Sequence, residues 1–436
     1  MRPSATTIAR GGACALILPW LLFTVGMMAG SEDPSAENPS NGNQDDGSLS
    51  QPPREMVDPR AMIEKADEFL EAGKSTEASE LYRKALFVRP TEKKALNGWQ
   101  KIQKARAADF AAQAVAAFEE DPRRGHSLLQ QATKFYAKDP TVKKLIREHK
   151  YQEFRGLWLT KTAIAEFKEK REEIEKRRKQ GINVSLEMAV IYQGSFRFFT
   201  DVDTRLARST LDQMTASVES HWRIYREVMR PFELDTVSDL DVVLFQKRAD
   251  YMSAAGIAGS AGVYYPSRGA GYFFGEGGWN FSTMLHEMTH QLNDKLMWGG
   301  ARGEAWFEEG IAEYFGSGQL SQGGKRIQVG RVDASRLKDF QTAVRTNDGR
   351  GVIPLDQFVR MPRAQLSGQF YAQAWALAHY LMEIHPYGRA ILFDYIEGHR
   401  SRRGKAISEV LTEYGIPFGT FETQFIEYYR TGGTSN

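Results

Sequence analysis

The chain of 436 residues contains a single cysteine, Cys14. No disulfide can form within it, and a cysteine nucleophile or a cysteine metal cluster is excluded from the rest of the chain. Charge of one sign is also missing: 57 Lys and Arg stand against 55 Asp and Glu, a net charge of +2. The basic residues are interspersed with acidic ones, and no basic patch carries interleaved aromatics, so no nucleic-acid role is expected. Neither a Gly-x-x-x-x-Gly-Lys-Ser/Thr phosphate loop nor a Gly-x-Ser-x-Gly nucleophile elbow occurs, which removes the nucleotide-loop and serine-hydrolase readings. What is present is ordinary for a folded protein: 42% hydrophobic and 26% charged residues, in a length that suits two domains.

Arg2 and Arg10 precede an apolar run over residues 13–29. Residues 1–30 therefore read as a secretory signal peptide. The run is also near the ~17-residue minimum for a membrane span, so an uncleaved anchor is the alternative. In both cases the remainder is expected outside the cytoplasm: periplasmic, secreted, or membrane-anchored with its domains outside. Cys14 lies inside this segment with most of the apolar run following it, whereas a lipoprotein signal places its cysteine after the run. Residues 31–57 are rich in Ser, Pro, Asn, Asp and Gly and read as a disordered linker.

From residue 58 to 150 the pattern is helical. Ala66, Phe69, Gly73, Ala78, Tyr82, Ala85, Leu86 and Pro90 resemble one tetratricopeptide repeat. Small residues at 66, 78 and 85 let two antiparallel helices approach, Gly73 makes the turn, and Pro90 ends the second helix. Two further segments, ending at Asp121-Pro122 and Asp139-Pro140, match the repeat poorly and read as decayed units. Such a region serves either as a surface for a protein partner or as a spacer packed on its neighbour. Residues 151–184 read as a helical connector, with a solvated run of Glu, Lys and Arg over 166–179.

Residues 185–430 change character. Strands are expected over 188–192, 196–200, 240–245, 262–265 and 271–274, with a turn at Ser267-Arg268-Gly269 and a long amphipathic helix over 203–229. The expected fold class is α+β, a small sheet with active-site helices behind an all-α repeat-like domain.

The next helix carries His286-Glu287-Met288-Thr289-His290, an H-E-x-x-H sequence in a chain with 8 histidines. Asn280 or Ser282 can cap it, and Phe281, Leu285, Met288, Leu292 and Leu296 form its apolar stripe. At i and i+4 the two histidines project from the same side, one turn apart, and can reach one ion. Glu287 sits beside His286, off that row, where it can face a water. A catalytic zinc needs a third protein ligand and one open position. Glu309 follows His290 after 18 residues, within Trp306-Phe307-Glu308-Glu309-Gly310-Ile311-Ala312.

This arrangement resembles the gluzincin metallopeptidases of the peptidase MA-like superfamily. The resemblance is specific over residues 283–316 and looser over 185 to the C-terminus. It implies one Zn2+ per chain held by His286, His290 and Glu309, with Glu287 as general base in hydrolysis of a peptide or protein substrate. Glu308 is excluded as a ligand by the same pattern, and adjacent helical residues diverge by ~100°. The resemblance further implies that Glu313, at i+4 from Glu309, orients a ligand histidine, although Asp is more usual there. It also implies that Tyr371 donates its hydroxyl to the oxyanion; Tyr264, Tyr265 and Tyr272 are weaker candidates. The hairpin over 262–274 would offer a sheet edge for an extended peptide, with Tyr272 and Phe273 along it. The Gly-x-Met-x-Asn strand of aminopeptidases is not found, which points towards an endopeptidase. His379 and His385 read as structural. The competing reading is a non-catalytic extracytoplasmic scaffold that works through its helical repeats, with a structural or degenerate zinc site.

Overall fold

The computed structural model describes residues 52–432, apart from 204–207, 236, 238, 258, 299–302, 322–323, 347–350, 367 and 402. The expected signal or anchor, Cys14 and nearly all of the expected linker lie outside the described residues. Where that linker was expected to end, α1 (Arg54–Val57) forms one helical turn.

The Asp-Pro pairs of the first half begin helices as well as end them. Six helices follow one another: α1, α2 (Pro59–Glu71), α3 (Ser75–Val88), α4 (Lys93–Glu120), α5 (Pro122–Tyr136) and α6 (Pro140–Glu148). Asp58, Asp121 and Asp139 each cap a helix whose first residue is proline, an N-terminus that needs no proline N–H. Gly73, at φ +76°, turns α2 into α3, and Ala66, Ala78 and Ala85 are fully buried between them. Gly98 on α4 leaves room for the Tyr82 ring, which a Cβ there would overlap. The later part departs from the expected pair of decayed units: α4 is one unbroken helix of 28 residues packed along α5. Its buried face continues past Trp99, Ile102 and Gln103 into a row of alanines at 107, 111, 114 and 117 with no turn residue to divide it.

The helical region does not stand apart. Lys84 pairs with Asp394 at 2.7 Å, Phe87 packs edge-on against Phe232 and tilted against Phe393, and Met62, Tyr82 and Phe87 share one apolar core with the C-terminal helices.

The expected helical connector opens instead with a hairpin, β1 (Tyr151–Phe154) and β2 (Leu157–Thr160). Arg155 and Gly156 between them both have positive φ, the two-residue turn that matches strand twist. Helices α7 (Lys161–Glu169) and α8 (Arg171–Gly181) follow. Arg178 of α8 is not merely solvated: it pairs with the buried Asp241.

A five-stranded mixed sheet holds the second half together. It comprises β3 (Ala189–Gln193), β4 (Phe196–Thr200), β5 (Leu240–Phe245), β6 (Gly262–Tyr265) and β7 (Ala270–Phe274), in the order β3-β4-β5-β7-β6. The β4–β5 and β5–β7 pairs are parallel and the outer pairs antiparallel. Between the strands lie α9 (Arg208–Val228), inside the expected helix, and α10 (Arg248–Ala254). The imperfect alternation of β5 has a physical reason. Leu240, Val242 and Leu244 join the main core while Val243 and Phe245 join a second one on the opposite face, so both faces are buried. Inside this strand, Asp241 accepts two hydrogen bonds from Arg197, at 2.7 and 3.1 Å.

Beyond the sheet come α11 (Phe281–Leu292), a π-helical turn at Asn293–Met297, α12 (Ala305–Gly316), the β8 (Gln319–Leu320) and β9 (Ile327–Gln328) ladder, and α13 (Ala334–Arg345). The chain then runs through α14 (Leu355–Phe358), α15 (Gly368–His379), α16 (Gly388–Arg400), α17 (Ile407–Glu413) and α18 (Phe418–Thr431). The protein is thus α+β, mostly helical with small sheets. Among the described residues no helix is long and apolar enough to cross a membrane.

Helix α12 is buried along its length and packed between α11 and α15. A Cβ on Gly310 would lie 2.6 Å from the Ala374 carbonyl oxygen and 3.1 Å from the Ala378 Cβ. Gly310→Ala is therefore expected to cost about 1–3 kcal/mol through overpacking, read as a lower urea midpoint; an unchanged midpoint would refute this account of the α12–α15 contact.

Three histidines are buried as neutral rings. Burial pushes His221 down to about 3 and His379 and His385 down to about 4. Their unfolded pKa is about 6.5, so as pH falls from about 6.5 towards 4 the unfolded chain takes up protons first. Stability present above that window drains away within it. His385 Nδ1 accepts from the Tyr387 N–H at 3.2 Å, a bond an asparagine carbonyl can imitate. His385→Asn should flatten the decline of thermal midpoint between pH 6.5 and 4.5; an unaltered slope counts against the assignment.

Candidate metal centre and active-site cleft

Asn280 sets the start of α11, its Oδ1 accepting from the Thr283 N–H at 3.0 Å. Met284, Leu285, Met288 and Leu292 are buried against the core. That leaves His286 and His290 on the face turned to α12, their Nε2 atoms 3.2 Å apart. Glu309 approaches from α12, and its Oε2 lies 3.3 Å from each Nε2. The three atoms form a nearly equilateral triangle. A tetrahedral zinc with bonds of about 2.0–2.1 Å separates neighbouring donors by about 3.3 Å, so the donor set fits that ion in both chemistry and spacing. Glu308 turns away, accepting from Asn293 Nδ2 at 3.3 Å and from the Gly303 N–H at 3.1 Å. It ties the start of α12 to the π-helical turn.

Glu313 stands one turn beyond Glu309 with its Oε1 3.3 Å from His286 Nδ1. Arg336 of α13 grips Glu313 with two bonds of 2.8 Å. Burial disfavours charge on all three groups, but their mutual contacts outweigh it. His286 is pushed up to about 10 by Glu309, Glu313 and Glu287, while Glu309 and Glu313 are held below the usual carboxylate range. A site that binds a proton this firmly between carboxylates is one that a divalent cation can fill in the proton's place. Arg336 carried no signal in the sequence, because nothing local marks an arginine on α13 as the partner of a carboxylate 23 residues earlier.

A cleft of about 580 Å³ opens in front of the triangle, and His286, Glu287, His290, Glu309, Arg363 and Tyr371 line it. Glu287 is anchored on one side, its Oε2 accepting from the Tyr264 N–H of β6 at 2.8 Å. The Tyr371 ring centroid lies 6.3 Å from that of His286 and 5.9 Å from the Arg336 guanidinium carbon. Burial, then the charges of Glu309 and Glu287, push its phenol pKa up, so it keeps its proton at neutral pH. Arg363, a second residue that sequence reasoning did not find, meets Glu309 Oε1 at 2.8 Å.

The remaining candidates fall elsewhere. Tyr264 lines the cleft, but its hydroxyl donates to Asp294 at 2.6 Å. The hydroxyls of Tyr265 and Tyr272 donate to the carbonyls of Ala255 and Ile182. Tyr272 and Phe273 do not line the sheet edge; they belong to β7, buried in the two cores on either face. The edge strand is β6, where Glu287 takes the Tyr264 N–H and the Ser260 hydroxyl engages both the N–H and the carbonyl of Gly262. His379 contacts Tyr429 and Trp375 in the core, away from the cleft.

Glu313→Gln keeps the shape of the outer carboxylate and removes its charge. Zinc affinity, measured by competition with a chromophoric chelator, should fall about 10–100-fold; wild-type affinity in this variant would show that Glu313 does not support the ligand.

A family model described as "Protein of unknown function (DUF1570)" matches residues 280–403, and no curated protein matches the chain. The matched stretch starts at the Asn280 cap, contains His286, Glu287, His290, Glu309, Glu313, Arg336, Arg363 and Tyr371, and ends after α16.

Proposed function

We propose that this chain is a zinc-dependent peptidase of the gluzincin type, with a zincin-like catalytic domain behind a helical repeat-like region, acting outside the cytoplasm. The observation that carries the reading is the triangle of two imidazole nitrogens and one carboxylate oxygen, open on one side to a cleft that also holds a carboxylate and a phenol. Two histidines and one glutamate suit zinc, and three protein donors leave a position for water or substrate. When bound, the ion would lower the pKa of water towards ~7 and polarise a carbonyl oxygen.

The side chains divide the remaining work. Glu287 has one oxygen fixed by the β6 backbone. Its carboxylate can take the proton of the attacking water and deliver it to the leaving amine. Tyr371, protonated and facing the same cleft, can donate its hydroxyl to the oxyanion as charge develops there. Glu313, gripped by Arg336, holds His286 in the tautomer that presents Nε2 to the ion. The substrate class is a peptide or protein. The helical region would then present a protein-binding surface or brace the catalytic part.

The test is to measure zinc in the purified protein and assay mixed peptides with and without a chelator. Glu287→Gln should retain zinc and lose about 10²–10⁴-fold in kcat. Tyr371→Phe should lose about 10²–10³-fold in kcat with zinc unchanged. Cleavage at the wild-type rate in Glu287→Gln would reject the base; protein without zinc would reject the site.

A further inference from the structure

The two oxygens of Glu309 face different partners. Oε2 lies 3.3 Å from both histidine Nε2 atoms, while Oε1 lies 2.8 Å from a guanidinium nitrogen of Arg363. We propose that Arg363 is a positioning residue that keeps Glu309 monodentate, so that the coordination position facing the cleft stays open. The inference rests on the zinc reading of the site and adds to it a residue from outside the two ligand-bearing helices.

A carboxylate can ligate through one oxygen or both. Glu309 is only 4% exposed, so its second oxygen has little access to water and needs either a donor or the ion itself. Arg363 supplies a partner as an ion pair, its guanidinium nitrogen 2.8 Å from that oxygen. Its place suits the task. It sits in the turn at Arg363–Gln365 between α14 and α15, and, like β6, this segment contributes to the lining of the cleft. Its side chain is 52% exposed, so the fold does not depend on it. Arg336 makes a useful contrast, because it reaches the site through Glu313 and His286 and touches neither oxygen of Glu309.

Affinity alone would not isolate this role, since removing Arg363 also removes a positive charge beside the cation. Coordination number does isolate it. The full-length protein, Arg363→Met and Arg363→Lys would each be loaded with Co2+ in place of zinc and their visible spectra compared, with the melting temperature of each metal-free protein as a control. The wild type should show the intense bands of a four-coordinate ion. Arg363→Met should melt like the wild type but lose band intensity, as Oε1 turns onto the metal and the coordination number rises. Arg363→Lys, whose ammonium can still meet Oε1, should keep the wild-type spectrum. A wild-type spectrum from Arg363→Met would overturn this inference and leave the zinc site standing. A wild type that takes up neither cobalt nor zinc would overturn the reading of the site itself.

Discussion

One helix, α12, has no solvent face, and much of the C-terminal half is arranged around that fact. From Trp306 to Gly316 every residue is buried. A helix enclosed in this way needs small residues where its neighbours cross. Gly310 faces α15, and Gly316 faces α11, where a Cβ would lie 3.1 Å from the His286 Cβ and 3.2 Å from the Ser282 carbonyl oxygen. The second contact brings the backbones of α11 and α12 so close that a glutamate about two helical turns before Gly316 can reach both imidazoles. A bulkier helix pair could carry the same side chains and still leave them too far apart to share an ion.

Enclosure also dictates the polar chemistry. Three carboxylates, Glu308, Glu309 and Glu313, are buried on α12, and an uncompensated buried carboxylate would cost several kcal/mol. Each has its own set of partners. Glu308 takes an amide and a backbone N–H, Glu309 takes two imidazoles and Arg363, and Glu313 takes His286 and Arg336. The division separates their tasks. Glu308 is satisfied by neutral donors and closes a structural contact. Glu309 and Glu313 face the same histidine from opposite nitrogens, one as its proposed co-ligand and the other as its proposed orienting group.

The parts of this arrangement that could be read from the sequence are those governed by one element's own geometry. His286 and His290 share a face because four residues make about one turn, and Glu308 and Glu309 must diverge because adjacent residues do. The bounds expected for β4, β5 and β6 match because turn residues and β-branched or aromatic runs delimit them. Residues whose role depends on another element were not legible. Arg336 and Arg363 lie 23 and 54 positions beyond their carboxylate partners, and Arg178 lies 63 positions before Asp241. Each looks locally like a surface charge. The hairpin at 151–160 was missed for a different reason: its strands are four residues each and sit between helical runs, so the turn at Arg155-Gly156 is almost its whole signal.

Precision at the centre then comes from the way α11 is held on three sides. Towards the sheet, Gln291 donates to the carbonyls of Asp241 and Gly269, at 3.0 and 3.1 Å, fixing the helix against β5 and the β6–β7 turn. Towards α9, Thr289 meets the buried His221 at 3.0 Å. Towards α12, Gly316 sets the closest approach. These contacts oppose rotation of α11 about its axis, and so set the directions of His286, Glu287 and His290. Glu287 meets an N–H on the outer edge of β6, whose register against β7 pairs Tyr264 with Gly271. A slip of one residue would turn that N–H inward. The direction of the proposed base is therefore set by sheet register and that of the proposed ligands by helix packing, and both constraints act on the same two turns of α11.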